Sequence, residues 1–215
     1  FLKIGFTSMV HLSTKMMPDR PTRPFSSVWN EHSYWYANHF MEQNIWDLFD
    51  SAMNGPQGII KAKTESNKYF KDVRFAKDPR DVLENKADVY IHTGSSLEFV
   101  EKSLPQGSID YIFTDPPYDS SIQYGELAYL WVAWLGKDKD YLESILANEV
   151  IHNERQHKDF GVYHGLLKDS FRKMFEVLKS GDYLTITFHN PTFKVRGAPL
   201  DRRVRCGTHY APISV

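Results

Sequence analysis

Four consecutive residues, Asp115, Pro116, Pro117 and Tyr118, combine groups that suit a planar ring bearing an exocyclic amino group. The Asp115 carboxylate accepts an N–H bond, and Pro116 adds a carbonyl acceptor on a residue without an N–H of its own. The two prolines restrict the turn, and the Tyr118 ring offers a flat face for stacking. When acceptors take both N–H bonds of an amino group, its lone pair leaves conjugation with the ring. The tetrapeptide therefore predicts a pocket that prepares an amino nitrogen to attack an electrophile.

The tetrapeptide directly follows the most apolar strand that the sequence predicts, at residues 110–114. Two more strands are predicted, at 89–92 and at 183–188. Predicted helices lie between and around these strands, at 97–102, at 126–135 and along an apolar stripe from Tyr163 to Leu178. This alternation predicts an α/β fold with a parallel sheet. Ligands of such sheets bind beyond the carboxyl ends of the strands, where the tetrapeptide lies.

The first 86 residues have a different character and predict a helical, aromatic-rich segment rather than alternating strands. The spacing of apolar residues predicts helices over 1–17, 41–53 and 58–70, an irregular aromatic stretch over 25–40 and a surface loop over 71–86. For the rings of Trp29, Tyr34 and Trp35, buried packing is favoured over stacking on bases. The predicted organisation is thus 1–86, a catalytic half at 87–195, and a tail of unclear structure at 196–215.

Composition excludes several classes of protein. Net charge is −1, with 26 basic and 27 acidic residues, so any nucleic-acid binding must use a local basic patch. The single Cys206 excludes an internal disulfide and a cysteine zinc cluster, and it fits a reducing, intracellular setting. No segment approaches the roughly 20 apolar residues of a membrane span. The histidine pairs His152 and His157, and His32 and His39, are poorly spaced for one metal ion, so we predict no metal site.

Three stretches of the chain resemble the amino-methylating DNA methyltransferases, which methylate adenine N6 or cytosine N4 with S-adenosylmethionine. The stretches are TGSSLEF at 93–99, SIDYIFTDPPY at 108–118 and EVLKSGDYLTITFHN at 176–190. The segment SIQYGELAYLWVAWLG at 121–136 resembles a bacterial subgroup in which a Tyr-x-Glu-Leu helix follows the DPPY loop. Asp at the first position of the motif resembles the adenine enzymes more than the cytosine N4 enzymes, where Ser is common.

This resemblance implies a Rossmann-like, S-adenosylmethionine-dependent methyltransferase sheet with a helical N-terminal segment. It also implies direct transfer of the methyl group to a base flipped out of double-stranded DNA, without a covalent enzyme intermediate. A cognate restriction endonuclease and a location in the bacterial cytoplasm are further expectations. The residues implied to hold and stack the base are Asp115, Pro116, Pro117 and Tyr118. The residues implied to contact the cofactor are Thr93, Gly94, Ser95 and Asp115.

Two further groups are candidates for the same pocket because of their positions. Tyr124 and Glu126 follow the DPPY loop, although a Glu at the start of a helix is also favoured by the helix dipole. The other group, Phe188, His189 and Asn190, ends the third predicted strand and so reaches the same edge of the sheet. A strand-end His can equally bond to nearby backbone.

The chain departs from the family where the cofactor would bind. No Gly-x-Gly occurs in the 215 residues, and Thr93-Gly94-Ser95 stands where the family often has Gly-Asp. These departures predict an incomplete sheet in a partial enzyme whose cofactor loop precedes Phe1. A circularly permuted enzyme and a nucleic-acid-binding remnant without transfer activity are the alternatives. The same chemistry on cytosine N4, RNA or a protein amide also stays open, although the last two relatives usually carry Asn in place of Asp115.

Overall fold

The parallel strand pair predicted around the tetrapeptide is present in the computed structural model. The structure describes residues 1–23 and 25–187, together with the backbone of a two-residue strand at 213–214. The chain forms mixed helix and strand. In chain order the α-helices are α1 (Leu2–Met9), α2 (Ile45–Asn54), α3 (Ile59–Tyr69), α4 (Pro79–Leu83), α5 (Ser96–Ser103), α6 (Tyr124–Trp134), α7 (Lys139–Asn148) and α8 (Phe160–Val177). The strands are β1 (Ile109–Thr114), β2 (Leu178–Ile186) and β3 (Ile213–Ser214).

The chain divides into two compact units. The first unit comprises Phe1–Asp72 and Gln123–Glu149, and the second comprises Val73–Ile122 and Val150–Val215. The predicted boundary at residues 86–87 therefore lies inside the second unit. Helices α6 and α7 belong with the N-terminal helices, although they lie between β1 and β2 in sequence.

The second unit contains a sheet with the order β1-β2-β3. β1 and β2 run parallel, in register from Tyr111 opposite Tyr183 to Thr114 opposite Ile186, and β3 pairs antiparallel to β2. On one face Leu184 is fully buried, and Ile186 packs against α8. This contact is possible because α8 turns a buried stripe of Tyr163, Leu167 and Phe171 towards the strand.

β2 begins five residues earlier than the sequence predicts. The predicted end of the preceding helix, Ser180-Gly181, lies instead within the strand, and α8 ends at Val177. The register between the strands shifts between Ile109 and Tyr111, opposite the segment that contains Gly181. Gly181 has a φ of 90°, a left-handed backbone that favours glycine, so this residue forms a bulge rather than a helix stop.

Three other local predictions are wrong in detail. The strand predicted at 89–92 is reduced to one parallel bridge between Phe75 and Val89, and Ile91 is 70% exposed. A strand needs a neighbouring backbone to pair with, and only Phe75 supplies one among the described residues. The helix predicted over 1–17 ends at Met9 and continues as a short 3₁₀ turn. The loop predicted over 71–86 contains α4, which Asp78 caps by accepting a bond from the Arg80 N–H.

The core of the first unit joins the N-terminal segment to α6. Its buried residues are Val10, Met16, Val28 and Leu130. His11 lies beside this core, 9% exposed, with its ring stacked on Trp29 at 4.9 Å between centroids. The His11 Nδ1 atom has no hydrogen-bond partner among the described residues. Burial lowers the pKa of His11, because a charged imidazole loses its hydration there.

Across the described ranges, no helix is both long enough and apolar enough to cross a membrane.

Replacing His11 with Phe should make the stability of the protein less sensitive to acid. Because burial depresses the pKa of His11 below 6.5, there is a pH range, between the folded-state pKa and 6.5, in which the unfolded chain binds a proton that the folded chain does not bind. Within this range the free energy of unfolding falls as the pH drops, and one proton contributes a slope of at most about 1.4 kcal/mol per pH unit. Urea unfolding at a series of pH values measures this slope.

His39 is exposed, and His39→Phe is the matched control. This control should keep the wild-type dependence on pH. Equal slopes for wild-type protein and His11→Phe would show that the buried imidazole does not govern acid sensitivity.

Candidate functional site

The tetrapeptide begins where β1 ends and lies at the carboxyl edge of the parallel pair. Thr114, the last residue of β1, is in register with Ile186, the last residue of β2. The Thr187 N–H donates to the Thr114 carbonyl at 3.0 Å, which extends the pairing to the start of the loop. Asp115 is exposed, and the three residues after it are half-buried. The structure therefore presents the Asp115 carboxylate at the edge of the sheet where ligands of parallel sheets bind.

The first and last residues of the tetrapeptide are hydrogen-bonded to each other. The Tyr118 hydroxyl donates to Oδ1 of Asp115. This bond closes the turn over the two prolines, and it fixes the direction of the carboxylate relative to the Tyr118 ring. The acceptor and the stacking face predicted from the sequence are thus brought together.

The hydroxyl group of Tyr163, in α8, is hydrogen-bonded to the backbone of the loop that contains the tetrapeptide. The Tyr163 Oη donates to the Pro117 carbonyl at 2.8 Å and accepts from the Asp119 N–H at 3.2 Å. Tyr163 is 1% exposed, and burial raises the pKa of its hydroxyl above the ordinary value of 10.0. The hydroxyl therefore remains a neutral donor throughout the physiological range of pH. One buried atom satisfies two backbone groups on either side of Tyr118.

Asp119 continues the loop and is held by a second segment. The Nδ1 atom of His152 lies 2.6 Å from Oδ1 of Asp119, and the His152 backbone N–H donates to the Asp119 carbonyl at 3.3 Å. A carboxylate only accepts, so this contact places a proton on Nδ1. Both side chains are about one-fifth exposed, with 22% for His152 and 19% for Asp119. Asp119 has a φ of 57°, a left-handed turn that Asp tolerates better than most residues.

Thr93, Gly94 and Ser95 lie in the same unit, in the turn that leads into α5. The Ser95 hydroxyl accepts from the Glu98 N–H at 3.4 Å and so caps the helix. A Cβ atom at Gly94 would lie 2.8 Å from Nε2 of His92, so a side chain at this position would displace the His92 ring. Ser95 and Gly94 thus each have a local structural role, as a helix cap and as a residue without a side chain beside His92.

The remaining predicted site residues lie in the first unit or outside the described residues. Tyr124 and Glu126 are exposed at the start of α6, which belongs to the first unit. The Gly125 N–H between them donates to Oε1 of Glu149 at 2.9 Å, which caps that helix. The predicted residues Phe188, His189 and Asn190 lie outside the described residues, as does Cys206.

Two rings of the aromatic segment bond to the backbone of α6. The Trp29 Nε1–H donates to the Leu127 carbonyl at 3.2 Å, and the Tyr34 hydroxyl donates to the same oxygen at 2.8 Å. Burial raises the pKa of Tyr34. Trp29 packs against the core of the first unit, in agreement with the predicted packing role, whereas Tyr34 and Trp35 are each 42% exposed. The part of the chain that the structure describes contains no group of three His, Cys, Asp or Glu side chains able to hold a metal ion.

Sequence reasoning missed three residues that shape the loop: Asp119, His152 and Tyr163. Tyr163 was visible only as a member of the helical stripe. A hydroxyl group on an otherwise apolar stripe does signal a buried partner, because tyrosine seldom buries its O–H unpaired. Nothing in the spacing of the sequence indicates that the partner is the loop after β1, 46 residues away.

No protein-family model, no curated protein and no solved structure matches this chain. Inference about function therefore depends on the residues of the loop and on its position at the end of β1.

Replacing Tyr163 with Phe should loosen the loop without removing any residue of the tetrapeptide. The change deletes the donor to Pro117 and the acceptor for Asp119, and each lost hydrogen bond costs about 0.5–1.5 kcal/mol. We expect hydrogen exchange at the Asp119 amide to accelerate about tenfold or more, because 1.4 kcal/mol corresponds to a factor of ten. Amide exchange measured by NMR checks this directly.

The control is Tyr141→Phe, a change at an exposed tyrosine on α7. It should leave exchange at Asp119 unchanged. If Tyr163→Phe protects Asp119 as well as the wild-type protein does, then the tyrosine hydroxyl does not anchor the loop.

Proposed function

We propose that this protein is an S-adenosylmethionine-dependent methyltransferase that acts on the exocyclic amino group of a nucleic-acid base, with N6 of adenine in DNA as its target. One observation carries the proposal. A Pro-Pro turn directly after a parallel strand presents an exposed carboxylate, Asp115, that is bonded to a stacking ring, Tyr118. That combination suits an aromatic ring with an amino group better than it suits an aliphatic or phosphate ligand.

The base-holding step follows from the acceptors of the loop. The Asp115 carboxylate accepts one N–H of the amino group and the Pro116 carbonyl accepts the other. With both N–H bonds held, the nitrogen lone pair leaves conjugation with the ring and becomes available to attack an electrophile. Tyr118 stacks on the extruded base, and such contacts recover part of the few kcal/mol that flipping costs. The protein contributes positioning and polarisation, since the reaction needs no covalent enzyme intermediate.

The described residues do not form a complete binding site for S-adenosylmethionine. S-adenosylmethionine supplies the electrophilic methyl group, and family members hold it with a glycine loop and acidic residues. Here the chain contains no Gly-x-Gly, and the Ser95 hydroxyl is used as a helix cap. The residues Thr93, Gly94 and Ser95 offer no carboxylate for the cofactor. We therefore assign roles only to the residues on the base side.

The proposal includes a Rossmann-like sheet around the β1–β2 pair and double-stranded DNA as substrate. It also includes a cognate restriction endonuclease and the cytoplasm of a bacterium as the setting. Adenine is preferred to cytosine because the motif begins with Asp115 rather than Ser. This preference is supported by the motif resemblance alone.

A second candidate function is base binding without methyl transfer. The observation that favours it is the cofactor side of the site, where the Ser95 hydroxyl caps α5 and no glycine loop is present. The two functions differ in one measurable property: only the first transfers labelled methyl from S-adenosylmethionine to DNA.

Replacing Asp115 with Ala should abolish methyl transfer and leave the fold intact. The carboxylate is exposed, so its loss opens no cavity, but it removes an acceptor for the reacting amino group. We expect a loss of at least about a hundredfold in rate, typical of removing one preorganised polar group. The assay follows labelled methyl transfer to DNA by the protein expressed from its whole reading frame.

Asp110→Ala provides the control, because it removes an exposed carboxylate from the same strand at a distance from the loop. It loses only the ion pair with Lys179 and should keep nearly full activity. An Asp115→Ala protein within a few fold of wild type would remove this carboxylate from the mechanism.

Tyr118→Ala should weaken binding of an extruded base by about 1–3 kcal/mol, the usual contribution of one base–aromatic stack. Tyr118→Phe keeps the ring and loses only the hydroxyl bond to Asp115, so it should bind the base nearly as well as wild type. Fluorescence of 2-aminopurine, placed at a mismatch in duplexes with randomised flanks, reports this binding. If Phe loses as much as Ala, the contact between the hydroxyl and Asp115 matters more than stacking.

A further inference from the structure

Helix α3 is unusual because its surface is exposed nearly all round. Every residue from Ile60 to Asp72 is exposed, and only Ile59 at the start of the helix is half-buried. Most protein helices are stabilised by burying an apolar face. Two of the side-chain contacts of α3 are local: the Thr64 hydroxyl bonds to the Ile60 carbonyl at 2.8 Å, and Lys61 lies 3.9 Å from Glu65. This helix therefore offers a broad free surface.

The surface of α3 carries a net positive charge, whereas the protein as a whole does not. Four lysines, Lys61, Lys63, Lys68 and Lys71, lie within residues 59–72 against two acidic residues, Glu65 and Asp72, whereas the whole chain carries a net charge of −1. Within the described residues, Lys68 and Lys71 have no acidic partner. Lys63 lies on the opposite side of the helix from Lys61 and Lys68, with its ammonium 4.4 Å from the centroid of the Phe1 ring, so it does not belong to their face. The other three lysines form the local basic patch that binding to a polyanion requires in a chain of near-zero net charge.

Two exposed rings lie at the C-terminal end of the helix, one on its last residue and one on the residue that follows. Tyr69 is 82% exposed and Phe70 is 69% exposed, and both stand between Lys68 and Lys71. Lys61 and Lys68 are seven residues apart, so they share a face and are about 10 Å apart along the helix axis. About three phosphates of one DNA strand span that distance. Positive charges at this spacing, with flat rings beside them, fit a phosphate backbone and its sugars.

We propose that the α3 surface, defined as Lys61, Lys68, Tyr69, Phe70 and Lys71, binds the phosphate backbone of duplex DNA. The choice of DNA rests on the proposed function, while the anionic character of the partner rests on the charges. A membrane surface fits less well, because an interfacial helix needs a continuous apolar face. Apolar side chains within α3 are confined to its first turn and Tyr69.

The test compares two triple variants of the full chain in binding to a labelled duplex of random sequence, followed by fluorescence anisotropy. K61Q/K68Q/K71Q removes three charges from the α3 surface, and K77Q/K102Q/K168Q removes three exposed lysines elsewhere. The α3 variant should bind about tenfold or more weakly near physiological salt. Its slope of log affinity against log salt should flatten by about 0.9 for each lost contact. The control should stay within about twofold of wild type.

Glu65→Gln adds a change of opposite sign. Removing this one acidic side chain from among the lysines should tighten binding, because it relieves repulsion of the phosphates. Equal weakening by both triple variants, or no change with either, would overturn the proposal. So would stronger binding to phosphatidylserine vesicles than to DNA.

Methyl transfer measured on the same proteins separates this proposal from the proposed function. DNA binding that depends on α3, without methyl transfer, leaves the surface standing and overturns the proposed activity. Methyl transfer that survives in both triple variants with unchanged KM for DNA overturns the surface and leaves the activity standing.

Discussion

The hydroxyl group of Tyr163 is the contact on which the loop after β1 depends. It lies at the buried end of a side chain from α8, and it satisfies the Pro117 carbonyl and the Asp119 N–H together. A backbone carbonyl and a backbone N–H that were left unpaired at this partly buried position would each carry a cost of desolvation. The Tyr163 hydroxyl thus fixes the position of the loop relative to α8. It also explains why one tyrosine interrupts an apolar stripe.

The other contacts of the loop act from its two ends. At the strand end, the pairing of β1 with β2 fixes the residue before Asp115. At the far end, His152 holds Asp119 through its side chain and its backbone. With both ends and the middle fixed, the Asp115 carboxylate and the Tyr118 ring need little ordering when a ligand binds. A preorganised acceptor is what a reaction that depends on positioning requires, and this agrees with the proposed chemistry.

The first unit uses aromatic side chains differently. Trp29 packs against the core of the first unit, and both Trp29 and Tyr34 donate hydrogen bonds to the backbone of α6. Tyr69 ends a helix that is exposed on nearly every side and Phe70 follows it, so both rings are accessible to a partner. Aromatic side chains of the first unit therefore fall into two groups, one packed against the core and one exposed on the surface. Burial and hydrogen bonding, rather than residue type, distinguish the two.

The sequence by itself determined the features that depend on neighbouring residues. The apolar run at 109–114, the Pro-Pro turn after it and the stripe along α8 follow from local spacing and from the restricted backbone of proline. The tertiary structure alone decided what meets across the chain. It joined His152 to Asp119 over 33 positions and Trp29 to Leu127 over 98. Residues 89–92 do not form a strand in the tertiary structure, because only Phe75 pairs with them among the described residues. Periodicity shows which face of an element is apolar, but the partner of a buried hydroxyl, imidazole or strand edge is fixed only when distant segments pack together.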